Sequence, residues 1–411
     1  MPKAQQSLTN LKDYYEEMDF RAECSGNLPG LLKQLNISLA FTSYQASRLM
    51  LVRSDGAELD ISYKSFPRPM GLAADTNSLT LGTFTQVLRF SREDALLTQI
   101  KQSLAPIEDD ITAPRMKTRP EQEQDNNAAP DEQAQQEAEW QAYQAKLFEP
   151  VDERTDACFI TRASHYTGMI NIHDIAWGTD GLWAVNSSFS CLCTLEPDFS
   201  FVPRWQPHFI TELVPEDRCH LNGMALKDGV PAYVTTFSQF NELAKWRDNK
   251  DHCGTLMDVA SNEVLVEGLA MPHSPRWYNG KVYFCNSGFG ELCTYNPTTG
   301  DVEVIARLPG FTRGMDFYGP LLFLGLSKVR QSEQTKSSPL SDMYEQTYSG
   351  IWVLNLDDNS LVASLSFTGN VDQIYDIAVL PDCSFPELIE PQHPRMRNHF
   401  CLPGQPERES L

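Results

Sequence analysis

Long apolar runs are missing from this sequence. No stretch reaches the roughly 20 consecutive apolar residues that carry a helix across a bilayer. The first twenty residues, MPKAQQSLTNLKDYYEEMDF, have neither the basic start nor the apolar core of a secretion signal, so a soluble, cytoplasmic protein with no membrane partner is expected. Basic residues are scarce: 33 Lys and Arg stand against 55 Asp and Glu, a formal charge of −22, which disfavours binding to nucleic acid or to an anionic surface. Part of the excess is local, because Pro106 to Asp156 holds 14 acidic and 5 basic residues. No Gly-x-Ser-x-Gly elbow or Walker loop occurs, which argues against a serine hydrolase or a P-loop nucleotide enzyme. Neither His-Glu-x-x-His nor a pair of Cys-x-x-Cys motifs is present to mark a metal. Gly288-Phe289-Gly290 joins two strands instead of opening a helix, so it is not a phosphate loop.

What is present is the composition of a globular protein, 41% hydrophobic and 10% aromatic, with apolar mass enough for a large core. A chain of 411 residues makes two or three ordinary domains or one large repeat domain, and the repeats decide for the second. The ten cysteines include Cys158, Cys285 and Cys293 inside apolar strands, and read as small buried hydrophobes in a reducing compartment. The spacing of Cys191 and Cys193 points both thiols to one face of a strand, where core packing competes with a metal or redox role.

The repeating unit is clearest from Met271 to Pro297: a short strand behind His273, a turn at Asn279-Gly280, a second strand, a polar corner at Asn286-Ser287-Gly288 and a third strand. Aligning Gly71, Asp174, Gly223, Ser274, Gly314 and Asp376 as anchors gives intervals of 103, 49, 51, 40 and 62 residues. The 103 falls to about 50, the length of a four-stranded propeller blade, once an inserted segment is removed. Twelve residues after the first five anchors lie Thr83, Asn186, Thr235, Asn286 and Leu326, followed by Phe84, Ser187, Thr236, Ser287 and Ser327. The sixth anchor leads only to Pro381 and a Pro-rich tail with no room for further strands, whereas residues 37–66 form strands that lack an inner partner. The C-terminal strand therefore completes the N-terminal blade, which predicts an all-β, six-bladed propeller closed by both chain ends. Residues 36–390 make the propeller, 1–35 an N-terminal cap with Leu11, Tyr14, Tyr15 and Met18 at helical spacing, and 391–411 a tail. Residues 105–155 read as a mobile, acidic, Gln- and Glu-rich insert with an exposed helix over Asp131 to Phe148.

In a blade, the start of the inner strand and the turn after the second strand lie on one face, so both register positions converge on one mouth of the channel. Just before the anchors stand Met70, His173, Asn222, His273, Arg313 and Tyr375, and the corners add Asn186, Ser187, Thr235, Asn286 and Ser287. His173 and His273, with Arg313 and Tyr375, are the catalytic candidates, because neutral imidazole serves as base or metal ligand and a guanidinium can fork onto a carboxylate or phosphate. The corner residues, with Asn222 and the loop residue His165, are candidates for substrate contact. His173, His273, Asn222, Asp174 and Asp376 form a candidate site for a divalent metal: calcium on the oxygens, or zinc if His220 joins the two histidines. The competing structural readings are histidines bonded to nearby backbone, and Arg313 paired with Asp316 or Asp376. Arg276 and Trp277 rank lower, because strand alternation turns one of them away from the channel.

The segment Val282-Tyr283-Phe284-Cys285-Asn286-Ser287-Gly288-Phe289-Gly290-Glu291-Leu292 resembles the blade motif of strictosidine synthase-, gluconolactonase- and NHL-type propellers. With His165-Tyr166-Thr167-Gly168, Ile172 to Trp177, His220 to Ala225 and Pro272 to Trp277, the chain is similar to an uncharacterised bacterial propeller family over about residues 36–385. The resemblance implies a six-bladed fold. Gluconolactonase-like members hold calcium with Glu, Asn and Asp, whereas His173 and His273 stand at the mouth here.

Two functions are open on the sequence. One is a lyase, hydrolase or epimerase that acts by metal-assisted or histidine-mediated proton transfer on a small polar or anionic substrate, such as a sugar acid or a modified peptide. The other is a non-catalytic propeller that binds a peptide or glycan, or engages a protein partner through the acidic insert.

Overall fold

The computed structural model of the protein describes residues 19–102, 138, 149–248, 251–329, 339–391, 393, 396 and 399–402. Six sheets stand in a ring, each a four-stranded antiparallel meander running outward from a central channel. Blade 1 takes its inner strand, Ile377–Pro381, from the C-terminal part of the chain and continues with Ile37–Ser43, Arg48–Ser54 and Leu59–Ser65. Blade 2 holds Leu72–Ala74, Ser78–Gly82, Gln86–Arg92 and Ala157–Tyr166; blade 3 holds Ile172–Gly178, Gly181–Asn186, Cys191–Thr194 and Val202–Trp205. Blade 4 runs Leu221–Lys227, Val230–Thr236, Gly254–Asp258 and Val264–Leu269, and blade 5 runs Pro272–Tyr278, Lys281–Asn286, Glu291–Tyr295 and Val302–Arg307. Blade 6 consists of Phe311–Tyr318, Leu321–Ser327, Gly350–Asn355 and Ser360–Phe367.

Both faces of a blade are covered by neighbours, so its strands read as nearly continuous apolar runs. Successive residues serve two different seams. In blade 3, Ala184 and Cys193 pack toward Val87 of blade 2, while Val185 and Leu192 pack toward Val234 and Met257 of blade 4. The hydrophobic core is thus divided among the six seams rather than gathered at one centre. Cys191 and Cys193 do point to one face, but into the apolar seam. Burial pushes both thiols up, Cys191 to about 12, and all ten cysteines are free, so this pair is core.

Polar atoms tie the inner strands to one another. Asp376 of blade 1 accepts from Leu72 N of blade 2 (3.0 Å), Asp174 of blade 3 from Met224 N of blade 4 (3.0 Å), and Ser274 of blade 5 from Gly314 N of blade 6 (2.9 Å). The even blades carry glycine at the same register because the next blade comes too close for a side chain. A Cβ on Gly71 would lie 3.2 Å from Asp174 Cα, one on Gly314 would lie 2.7 Å from Asp376 Cα, and one on Gly223 would strike Pro275.

Two strands were not foreseen. Ala22–Ser25 adds a fifth strand to the outer edge of blade 6, and the helix Leu28–Leu35, capped by Asn27, buries Leu28 and Leu32 in the seam between blades 6 and 1. The described part of the N-terminal cap is therefore woven into the ring. Beyond Pro381 the chain makes another strand, Pro386–Ile389, parallel to Ala157–Ile160 on blade 2, which corrects the expectation that no strand follows the closing one. Glu387 fastens it to Arg53 (3.2 Å) and Lys64 (2.9 Å) of blade 1. Leu11 to Met18, the core of the acidic insert, its expected helix and most of the C-terminal tail lie outside the described residues. The insert's stems, 93–102 and 149–156, leave blade 2 at the end of the sheet opposite the Thr83 turn, on the face away from the site.

Gly314 has φ +72° as well as the close approach to Asp376. Gly314→Ala is expected to destabilise the fold by about 2 kcal/mol or more, from left-handed strain plus a displaced inner strand. Urea unfolding checks this against Gly300→Ala, a turn glycine with open space around it.

Candidate functional site

In blades 3 to 6 the inner strand begins with a register shift at or beside the anchor, so a β-bulge interrupts the alternation where the chain enters the channel. Three residues before the anchor, Arg68, Asn171, His220 and Met271 adopt left-handed backbone with φ between 48° and 55°. Such conformations in non-glycine residues gather at functional sites. In blades 3 and 5 this turn aims a carbonyl back at the histidine: His173 Nδ1 lies 2.8 Å from Asn171 O, and His273 Nδ1 lies 2.8 Å from Met271 O.

These contacts fix the tautomer. A carbonyl only accepts, so each Nδ1 carries the proton. Ser187 and Ser287 agree: each hydroxyl donates across the seam, to Leu221 O and Thr312 O, and so must accept from the histidine Nδ1 beside it, at 2.8 and 2.9 Å. Nε2 of both rings is left as a bare lone pair with no hydrogen-bond partner among the described residues. Burial, first of all, holds both imidazoles well below 6.5; for His173 His220 and Arg313 add to this, and for His273 Arg313 and then His220. Both histidines are neutral near pH 7.

Arg313 lies flat on Tyr375, its guanidinium carbon 3.7 Å from the ring centroid, with Tyr44 at 5.6 Å. Among the described residues it pairs with no carboxylate, neither Asp316 nor Asp376, and its Nε is buried without an acceptor. Burial pushes the Tyr375 phenol up, so it stays protonated, and its hydroxyl makes no hydrogen bond of ordinary geometry. Tyr375 also meets His173 edge to face, with centroids 5.7 Å apart. Asn222, 3% exposed, leaves its Nδ2 unpartnered. Buried polar atoms without partners are rare in folded proteins, and several gather at this mouth.

The role expected for the corners changes. Ser187 and Ser287 are wholly buried seam ties that hold the histidines. Asn286 is occupied by Ala270 N and Glu291, Asn186 accepts from Phe189 N, and Thr235 is buried without a partner. His165 lies on the fourth strand of blade 2, bonded to Ser200 O, and does not reach the mouth ring.

The metal set is not assembled. Arg276, ranked low from the sequence, enters the channel through the bulge between His273 and Arg276 and pairs with Asp174 (2.7 Å) and Asp376 (3.4 Å). The remaining capacity of those carboxylates goes to backbone N–H groups of Met224, Leu72 and Ile377. His220 bonds Asp217 through Nδ1 at 2.8 Å, stacks on Trp246 at 4.1 Å and meets His173 edge-on at 4.6 Å. Among the described residues no group of three or more His, Cys, Asp and Glu is arranged to hold an ion.

Asp217, Trp246, Phe237 and Phe311 were missed. Phe237 and Phe311 flank His273 at 5.1 and 5.2 Å, and Trp246 donates to Asp217. The sequence signals are the spacing Asp217-x-x-His220 and the strand positions of Phe311, two residues before Arg313, and Phe237, directly after the Thr235-Thr236 corner; Trp246 comes from the loop between strands of blade 4.

The family described as a domain of unknown function, DUF4915, matches residues 26–119 and 134–389. The chain belongs to the DUF4915 family. The internal gap in the match, residues 120–133, falls inside the acidic insert of this DUF4915 propeller. No curated protein matches the chain. Among solved structures it is similar to a chain from a nidogen/laminin complex, with 10% identity over 84% of this chain and 99% of that one and a TM-score of 0.48. It is likewise similar to a protein of unknown function from Bacteroides caccae, with 8% identity, coverage of 84% and 99%, and a TM-score of 0.46. No helix among the described residues is long and apolar enough to cross a membrane.

Two outcomes are expected. Arg276→Met, which leaves Asp174 and Asp376 buried without their cation, should cost about 3–5 kcal/mol in chemical unfolding. Stability should also fall with pH through the histidines. Below about 6.5 the unfolded imidazoles bind protons that the folded ones refuse, so the contribution is full above that value and is lost as pH falls, by up to about 1.4 kcal/mol per unit for each. Asp376, pushed up to about 7 by burial, with Asp174 adding and Arg276 opposing, works the other way: its contribution is lost as pH rises through that range. The histidine part is therefore read as the difference in slope between wild type and His173→Asn/His273→Asn over pH 5–7.5, the variant being the flatter on the acid side.

Proposed function

We propose that the channel mouth binds a small anion through Arg313 and Tyr375, and that His173 and His273 act on it as neutral proton acceptors. The observation that carries this is an unpaired guanidinium, laid flat on Tyr375, in the same ring as two imidazoles whose Nδ1 is locked and whose Nε2 is bare. A planar guanidinium matches a carboxylate edge to edge, and the buried phenol can add a third donor. An imidazole with Nδ1 tied to a carbonyl is oriented to take a proton at Nε2.

With a carboxylate on Arg313, the chemistry that fits is proton abstraction from the adjacent carbon. The C–H electron pair moves into the carboxylate system, where Arg313 offsets the growing charge, and the proton passes to Nε2. The imidazolium so formed then gives its proton to a leaving group that departs with its electron pair from the next carbon, a lyase reaction; an epimerase would need the second histidine to take a proton at Nε2 from solvent before it could deliver one to the opposite face. His173 and His273 sit on blades 3 and 5, two apart in the ring, as bracketing a ligand requires. The route runs through no metal, because Asp174 and Asp376 are committed to Arg276 and the free charge at the mouth is positive. Ten free thiols support a cytoplasmic setting. The acidic insert, rooted on the opposite face, would engage any protein partner independently of the mouth.

Isothermal titration with propionate and succinate tests the anion site. Saturable binding is expected, weakened about tenfold or more by Arg313→Gln with the melting temperature kept, the equivalent of one lost charge-assisted contact. Binding that is absent, or indifferent to Arg313→Gln, overturns the reading. Deuterium uptake at the α-carbon of the bound acid, lost in His173→Asn or His273→Asn, is expected for proton transfer; its absence in wild type reduces the site to binding alone.

A further inference from the structure

We infer that the ligand of this mouth is a hydroxy acid, a small carboxylate carrying hydroxyl groups that face blades 3 to 5. The inference rests on the anion site proposed for Arg313 and adds what the other side of the ring demands. Around the channel the ring runs Tyr375, Met70, His173, Asn222, His273 and Arg313 from blade 1 to blade 6. Arg313 and Tyr375 are adjacent, on blades 6 and 1, and form the anion side. Facing them on three consecutive blades are the Nε2 acceptor of His173, the unpartnered amide of Asn222 and the Nε2 acceptor of His273.

A ligand that leaves these groups unpaired forfeits their desolvation. Each bare Nε2 needs an O–H or N–H donor from the ligand. Between them the Asn222 amide offers a donor and an acceptor, and a hydroxyl satisfies either orientation. An ammonium is a poor donor here. Asp174 and Asp376 are occupied by Arg276, and Arg313 already contributes positive charge, so a zwitterion would bring a cation with no free carboxylate to meet it. A neutral O–H group meets all three requirements. Apolar walls complete the fit: Phe237 and Phe311 enclose the His273 ring and leave no polar substitute for the missing donor.

A site that hydrogen-bonds a hydroxyl discriminates strongly against the analogue lacking it. Titration of the full chain with matched probes reads this: succinate, malate, tartrate and aspartate, then propionate, lactate and glycerate. Malate and tartrate are expected to bind about tenfold or more tighter than succinate, glycerate likewise against propionate, and aspartate weaker than malate. Asparagine at 173 or 273 keeps a donor near the Nδ1 position and removes Nε2, so His173→Asn and His273→Asn should erase the preference, read as the ratio of malate to succinate affinity within each variant. Asn222→Ala gives a second reading if a histidine variant fails to fold, and should also compress the preference. If all the acids bind alike, or the preference survives these variants, the hydroxyls have no part in recognition and the inference falls with the anion site intact. If aspartate binds best, an amino acid is the ligand instead. If no acid binds, the anion site itself is lost.

Discussion

Everything at the channel depends on two alternating seams: a side chain from an odd blade accepts from a backbone N–H of the next, even blade, and on the other side of that even blade a glycine admits the close approach of the following odd blade. Asp376 to Leu72, Asp174 to Met224 and Ser274 to Gly314 are the three copies. The six-bladed ring thereby acquires an approximate threefold character. The seams bury enough apolar surface to hold the blades together, but apolar packing is indifferent to small sliding of one sheet on another. The directional bonds fix the height of each inner strand, and so bring the residue before each anchor to one level. Tyr375, His173 and His273 are the odd-blade members of that level. The two histidines share a setting down to the backbone carbonyl and the seam serine, because their blades repeat the same local solution.

Charge breaks the threefold pattern in a way that sets the chemistry of the mouth. The odd anchors are two aspartates and one serine, and the blade that carries the serine also supplies Arg276. A third buried carboxylate would have no counter-charge, whereas two carboxylates around one guanidinium leave a compact ion triad with most of its hydrogen-bonding capacity met. The triad lies beneath the ring and commits both carboxylates to Arg276. A chain with a formal charge of −22 thus presents at this mouth the guanidinium of Arg313, with no carboxylate partner among the described residues, and two neutral imidazoles.

The constant spacing of twelve residues was legible in the sequence because it measures a hairpin: anchor and corner lie across from each other on paired strands, so loop length cannot alter it. Closure by the C-terminal strand was legible for the same reason, since a set of strands lacking an inner partner and a lone inner strand imply each other. The bulges were not legible. Alternation predicts which way Arg276 points only if the strand is regular, and the register shift after His273 turned a residue ranked low into the centre of the channel. Asn-Ser corners repeated around the ring looked like ligand contacts, yet repetition arises equally from seams, which every blade must have. Ala22–Ser25 escaped notice because it pairs by its backbone alone, with mostly exposed side chains that carry no period.

Neutral histidines near the half-buried Arg313 also bear on metal against anion. A divalent cation gains from imidazole lone pairs, and the bonding of Nδ1 to a carbonyl or a carboxylate in His173, His220 and His273 is the support that metal-bound histidines use. It would have to enter beside Arg313, however, with no carboxylate free to offset the combined charge. The proposed anion meets the opposite balance: Arg313 would attract it, and once bound it would offset the part of the imidazole shift that Arg313 adds to burial. Binding of the proposed anion would therefore make the histidines better bases at the moment a proton is available to them. The locked Nδ1 ensures that Nε2, and no other atom, receives it.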